Sequence, residues 1–150
     1  MPNPIKLFNE IGRILKKNGK YIILDVNMSF FEKLEIILTK NECYDLDVDI
    51  YDKDINLVDP KDNFDSNNAI PSLIFEDFEK FNNCLDFKFE STEFRYEEFF
   101  IFLNSGGVIV DAPRIPLNNL FLNLLNKVDK YLNKFPKIFP LQMYVCLTKK

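Results

Sequence analysis

Four β-prone apolar residues in a row, Tyr21-Ile22-Ile23-Leu24, sit between Lys20 and Asp25, and they constrain the fold more than any other feature of the chain. A strand that alternates apolar and polar residues can turn one face to water. A strand apolar on both faces needs cover on both. The segment KYIILDV, residues 20–26, therefore predicts an inner strand of a sheet flanked by helices. What precedes it fits the same layered plan. Asn3 and Pro4 suit the cap and the first turn of a helix. Ile5, Phe8, Ile11, Ile14 and Leu15 then recur near helical spacing. Lys16 and Lys17 would complement the helix dipole. Asn18-Gly19 would end the helix, because glycine accepts the left-handed conformation found at helix ends. The expectation is a helix over 4–17, a turn, and a strand over 20–26.

The rest of the chain continues this alternation. Phe31, Leu34, Ile37 and Leu38 predict an amphipathic helix over 30–40. Leu73, Ile74, Phe78 and Phe81 predict another over 70–82, with Pro71 near its start. Residues 86–96, DFKFESTEFRY, read as a strand whose alternation is imperfect: Phe87 and Phe89 have one parity, Phe94 and Tyr96 the other. Residues 97–103 read as helical up to the breaker Asn104-Ser105-Gly106-Gly107. Leu117, Leu120, Phe121, Leu124, Val128, Tyr131 and Leu132 predict a helix over 117–133. LQMYVCLT, residues 141–148, predicts a strand. No internal repeat and no Gly/Ser linker divides the chain, so one domain over 1–150 is expected, with a helical excursion at 97–135.

Composition removes several classes of function. The net charge is -4 with no basic stripe, so no nucleic-acid partner is expected. Lys16-Lys17 and Lys149-Lys150 are the nearest candidates, and they read as helix-end and tail charges. Aspartate crowds residues 45–65, from Asp45, Asp47 and Asp49 to Asp62 and Asp65, and reads as a solvated loop with room for short strands near Leu46 to Tyr51. A calcium loop would need a glycine at its turn and a closing glutamate, and neither is present. The chain has no histidine, and its 3 cysteines, Cys43, Cys84 and Cys146, lie far apart. That pattern excludes a disulfide framework, a zinc site and a Cys/His nucleophile pair, and it leaves buried thiols in a reducing compartment. Without histidine the usual acid–base residue is missing, and no catalytic residue and no metal site can be assembled. No basic segment leads into an apolar one at the N-terminus, and no apolar run approaches about 18 residues. The expected compartment is the cytoplasm, with no membrane partner.

One stretch carries a family resemblance. Leu7-Phe8-Asn9-Glu10-Ile11-Gly12-Arg13-Ile14-Leu15-Lys16-Lys17-Asn18-Gly19, followed by the KYIILD run to Asp25, resembles the helix and fifth strand of class I S-adenosylmethionine-dependent methyltransferases, which have a Rossmann-like fold. Asn18 stands where proline or glycine is commoner in that family. Phe139 to Lys150 is similar to the family's seventh strand, which often ends in lysine, and residues 86–96 would be the sixth.

The resemblance implies an α/β chain holding part of the Rossmann-like fold. It implies a three-stranded mixed sheet, the seventh strand lying between the fifth and sixth and antiparallel to both. The fourth strand, normally beside residues 20–26, would be missing, which leaves an apolar edge. It implies methyl transfer from S-adenosylmethionine to a small-molecule or protein acceptor, with this chain as the substrate-side half. The family's glycine-rich turn and its ribose-binding acid precede the matched region. The only glycines here are Gly12, Gly19, Gly106 and Gly107, and none makes the spacing G-x-G-x-x-G. S-adenosylmethionine is therefore expected not to bind to this chain alone, and no residue is assigned to the cofactor. Substrate-side candidates are Asp25, at the strand rim, with Tyr96, Asn104 and Ser105 in the excursion. Simpler roles stand beside them: a turn or cap for Asp25, loop polarity for the other three, a structural ion pair for Arg13, and core for Phe94, Phe99, Phe100 and Phe102. The partner would be a second copy in a homo-oligomer or a separate N-terminal half. The alternative is a non-catalytic remnant or interaction module that pairs through its exposed sheet edge, and a weaker one is an unrelated small α/β binding protein.

Overall fold

The computed structural model describes residues 3–39, 43–52, 54–55, 67–100 and 117–150. Helix α1 spans Pro4–Ile14, with the Asn3 side chain accepting from the Lys6 amide at 2.9 Å. It stops short of the expected Lys17 for a tertiary reason. The Lys149 ammonium donates to the carbonyls of Gly12 at 2.6 Å and Leu15 at 2.8 Å, so the orphan acceptors of the last turn are met from across the molecule. Leu15 is already extended, and Asn18 takes the left-handed turn with φ 63°.

Strand β1 is Lys20–Val26, β2 is Phe89–Glu97 and β3 is Gln142–Lys149. They form a three-stranded open sheet in the order β1-β3-β2. The segment KYIILDV does flank the terminal strand, as expected. Both ladders are antiparallel, so the sheet is antiparallel rather than mixed. The reason is that β1 and β2, which run the same way, touch only the reversed strand between them.

The imperfect alternation of residues 86–96 has a physical cause. The β2 register shifts between Ser91 and Glu93, leaving Thr92 as an extra residue that resets the parity. Phe89 pairs with Lys149 before the shift, and Phe94 and Tyr96 pair with Val145 and Met143 after it. All three aromatics thus share the face of Met143, Val145 and Leu147. On that face, Ile5 and Phe8 of α1 meet Ile23, Phe89, Met143, Val145 and Leu147. Phe8 stands edge-on to Tyr21, Phe81 and Phe89 at 5.7, 5.1 and 6.2 Å.

The other face of β1 is open. Ile22 is 57% exposed and Leu24 59%, and among the described residues no strand pairs with the outer edge of β1. The expectation of an inner strand covered on both faces therefore fails, while the apolar edge that the resemblance implied is present.

Helix α2 is Phe30–Thr39, α3 is Ile70–Glu76, α4 is Phe78–Asn83 and α5 is Asn119–Leu132. The expected helix over 70–82 is broken at Asp77, whose side chain accepts from the Lys80 amide at 3.0 Å and starts α4 instead. Glu97 belongs to β2 rather than to a helix over 97–103, and residues 101–103 lie outside the described residues. Near Leu46 to Tyr51 the chain makes turns instead of strands. Asp45, Asp49 and Asp52 each accept from the amide two residues on, at 2.9, 3.0 and 2.9 Å. Ile50 there is buried in the core. Of the thiols, only Cys146 is buried; Cys84 is half-buried and Cys43 is exposed. Among the described residues no helix is long and apolar enough to cross a membrane.

Candidate functional site

β1 and β2 end at the same rim, where Val26 and Glu97 both pair with Gln142. Ligands of open α/β sheets gather at such rims. The chain leaving β1 is held tightly there. The buried Asn27 amide donates to the carbonyls of Pro136 at 2.8 Å and Pro140 at 2.7 Å. The Ser29 hydroxyl, fully buried, accepts from the Glu32 amide at 3.2 Å and caps α2. The Ser72 hydroxyl accepts from the Met28 amide at 2.8 Å. These side chains are spent on backbone groups that would otherwise be orphaned.

The chain leaving β2 builds a cleft. Glu98 takes a left-handed conformation with φ 56°, and its carbonyl accepts from the Leu141 amide at 2.9 Å. The buried Asp129 carboxylate on α5 accepts from the amides of Phe99 at 3.2 Å and Phe100 at 3.1 Å. Between these tethers lies a cavity of about 340 Å³. Arg95, Tyr96, Glu97 and Glu98 form one wall; Asn126, Asp129, Lys130 and Asn133 form the other. Arg95 pairs with both Glu93 and Glu97 and lies 3.9 Å over the Tyr144 ring. Burial, then repulsion from Glu97 and Asp129, holds the Glu98 carboxyl above its ordinary range. Burial likewise raises the Tyr96 phenol. The cleft can hold a small polar molecule through carboxylates, amides and one phenol. It offers no nucleophile–base pair, and among the described residues no group of His, Cys, Asp or Glu is placed to hold a metal ion.

Two of the substrate-side candidates share a row of the sheet. Asp25 and Tyr96 both pair with Met143, from opposite sides. Two strand spacings separate them, about 9–10 Å, and the buried Met143 side chain stands between. Asp25 accepts from the Val26 amide at 2.8 Å, as a turn residue would, and its charge adds to the burial that raises the Tyr21 phenol. Tyr96 lines the cleft, with its ring 5.0 Å from that of Phe94. Asn104 and Ser105 lie outside the described residues, as does Phe102. Phe99 is buried, whereas Phe94 and Phe100 are partly exposed. Arg13 makes the expected surface pair with Glu10 at 2.6 Å. Sequence reasoning did not find Asn27, Glu98 or Asp129. An Asp on the polar side of an amphipathic helix gives no local sign that it will be buried.

The described residues do not fit the adenosyl group of S-adenosylmethionine. Such a seat needs backbone that a ligand can approach closely after a parallel strand. Gly12 faces the Phe87 side chain, and Gly19 faces the Lys16 carbonyl and Leu15. Neither lines the cleft. Gly106 and Gly107 lie outside the described residues. Comparison with known protein families, with curated proteins and with solved structures finds no match to the chain.

Proposed function

We propose that this chain is the substrate-side half of a class I S-adenosylmethionine-dependent methyltransferase. In this reading it forms one Rossmann-like domain, with the helical excursion at 97–135, and works in the cytoplasm beside a half that holds the cofactor. The observation that carries the reading is the strand order. The resemblance requires the chain's last strand to lie reversed between the other two, and β3 lies so between β1 and β2. When bound, the cofactor supplies the methyl group. No step through it is assigned to this chain, whose described residues do not seat it. The chain's own contribution is the wall of the cleft around Tyr96 and Glu98, where an acceptor would be oriented.

Calorimetric titration with S-adenosylmethionine and its demethylated product tests the reading. The isolated chain is expected to give no binding heat, and tight binding by this chain alone would sink the half-domain claim. Support would come from an in-frame strand, glycine-rich turn and helix encoded upstream of Met1.

A second reading is favoured by the exposure of Ile22 and Leu24 on β1. The chain would then be a non-catalytic module that pairs through this edge, with a second copy or with a separate N-terminal half. A dilution series by sedimentation showing a stable folded monomer would count against it.

A further inference from the structure

Helix α5 leaves one apolar stripe outside the core, while Leu122, Leu125, Val128 and Leu132 are half-buried. Leu120, Leu124 and Tyr131 fall on one side of the helix by their spacing and are 77%, 52% and 60% exposed. The buried contact of α5 is the neighbouring Asp129, held by the Phe99 and Phe100 amides. The stripe continues beyond the helix. Tyr131 meets Phe135 at 5.9 Å, Phe135 meets Phe139 at 6.3 Å, Phe139 stacks on Phe31 at 5.4 Å, and Phe31 meets the exposed Phe30 at 5.4 Å. Amides of Phe30 and Phe31 donate to the carbonyls of Lys137 and Ile138 at 2.9 and 3.1 Å, which fixes the start of α2 against this end of the patch.

The charge beside the stripe indicates what covers it. Residues 117–138 carry Lys127, Lys130, Lys134 and Lys137 against the single acid Asp129, although the whole chain has net charge -4. None of these lysines forms an ion pair with a described residue. Lys134 lies 5.6 Å over the Tyr131 ring, at the border of the stripe. A second copy packed stripe to stripe would bring these lysines together. A nucleic acid would use the lysines but leave the apolar side chains in water. An anionic lipid surface satisfies both, since leucine and aromatic rings settle at the headgroup boundary while lysines meet lipid phosphates.

We propose that α5 lies along an anionic membrane surface, with Leu120, Leu124 and Tyr131 at the headgroup boundary and Lys127, Lys134 and Lys137 against the lipid headgroups, while Lys130 lines the cleft. The helix rests on the bilayer and does not cross it. The inference is independent of the methyltransferase reading.

The test is co-sedimentation of the full chain with vesicles of equimolar phosphatidylcholine and phosphatidylglycerol, against vesicles of phosphatidylcholine alone. Association is expected with the anionic vesicles only, weakening as salt is raised. Leu120→Asp is expected to cut the partition about tenfold or more. Lys127→Gln and Lys134→Gln should each cut it about fivefold. Circular dichroism checks that each variant is folded, and the two lysine variants keep the test decisive if Leu120→Asp is not. No partition into anionic vesicles at low salt overturns the proposal, as does equal partition into neutral ones. It is also overturned if Leu120→Asp binds as well as the parent and duplex DNA competes the vesicles away, since the lysines would then form a general polyanion site.

Discussion

Replacing Gly12 with alanine sets two effects against each other. An exposed helical glycine gains about 1 kcal/mol on becoming alanine. Gly12 is buried, and a Cβ there would come within 2.6 Å of the Phe87 Cβ and 2.7 Å of its Cγ and Cδ2. The Phe87 Cβ is fixed by the backbone, so no rotamer change of Phe87 clears that contact. The surroundings cannot easily yield either. The Lys149 ammonium both bonds the Gly12 carbonyl and sits 4.5 Å over the Phe87 ring, and Asp86 donates its amide to Asn9 at 2.8 Å. Overpacking of this kind costs about 1–3 kcal/mol. Taking the upper half of that range and subtracting the helix gain leaves a net loss of about 1–2 kcal/mol. For a chain of this size the thermal midpoint should fall by about 2–8 °C. The assay is urea unfolding of the parent, Gly12→Ala, Phe87→Ala and the double variant. With Phe87 removed, Gly12→Ala should become neutral or stabilising, by up to about 1 kcal/mol. A Gly12→Ala protein more stable than the parent would refute the reasoning, and so would an equal loss in both backgrounds.

Three further outcomes are expected. Asn27→Ala removes the donor from two proline carbonyls at the rim and should cost about 2–4 kcal/mol in denaturant unfolding. A loss below about 0.5 kcal/mol would mean that water replaces the amide. Deleting Thr92 removes the extra residue but leaves Ser91 opposite Leu147 and Glu93 opposite Cys146, so Phe94 and Tyr96 keep their face, and the loss should be about 1 kcal/mol, that of the Thr92 hydroxyl bond to the Cys146 carbonyl. A deletion variant that loses about 3 kcal/mol or more in urea unfolding would show that the two rings had left that face. Glu98→Gln should stabilise the fold at neutral pH and not in acid. The folded-state pKa of Glu98 is raised, so its charge opposes folding above that value, and the penalty fades as pH falls toward the unfolded value. Stability measured at pH 7 and near pH 3 checks the sign, and an equal gain at both would rule out the electrostatic cause.

The sequence made the strands legible because their signals are local. The apolar run at Tyr21 to Leu24 and the terminal LQMYVCLT each gave a strand to within a residue. The Asn3-Pro4 start of α1 was equally plain. Where the reading failed, a distant residue decided the outcome. Lys149, at the end of β3 and distant in sequence, ends α1, although it read as a tail charge. The register shift at Thr92 puts on one face aromatics that sequence parity placed on two. The site was less visible still. Tyr96 does line the cleft, but Asp129 makes that cleft by crossing from α5 to two amides of the preceding loop. The stripe on α5 was read correctly as helical. The side carrying Asp129 is buried while Leu120 and Leu124 are exposed, a choice that apolar spacing alone does not show.

The strand at the middle of the sheet is also the last of the three in the chain. Among the described residues β1 and β2 have no strand neighbour but β3, so neither can form that ladder while the ribosome is still building residues 98–141. During synthesis the side chains of Tyr21 to Leu24 must wait for more than a hundred later residues before their own strand has a partner. The sheet therefore closes only when β3 inserts between the segments of β1 and β2.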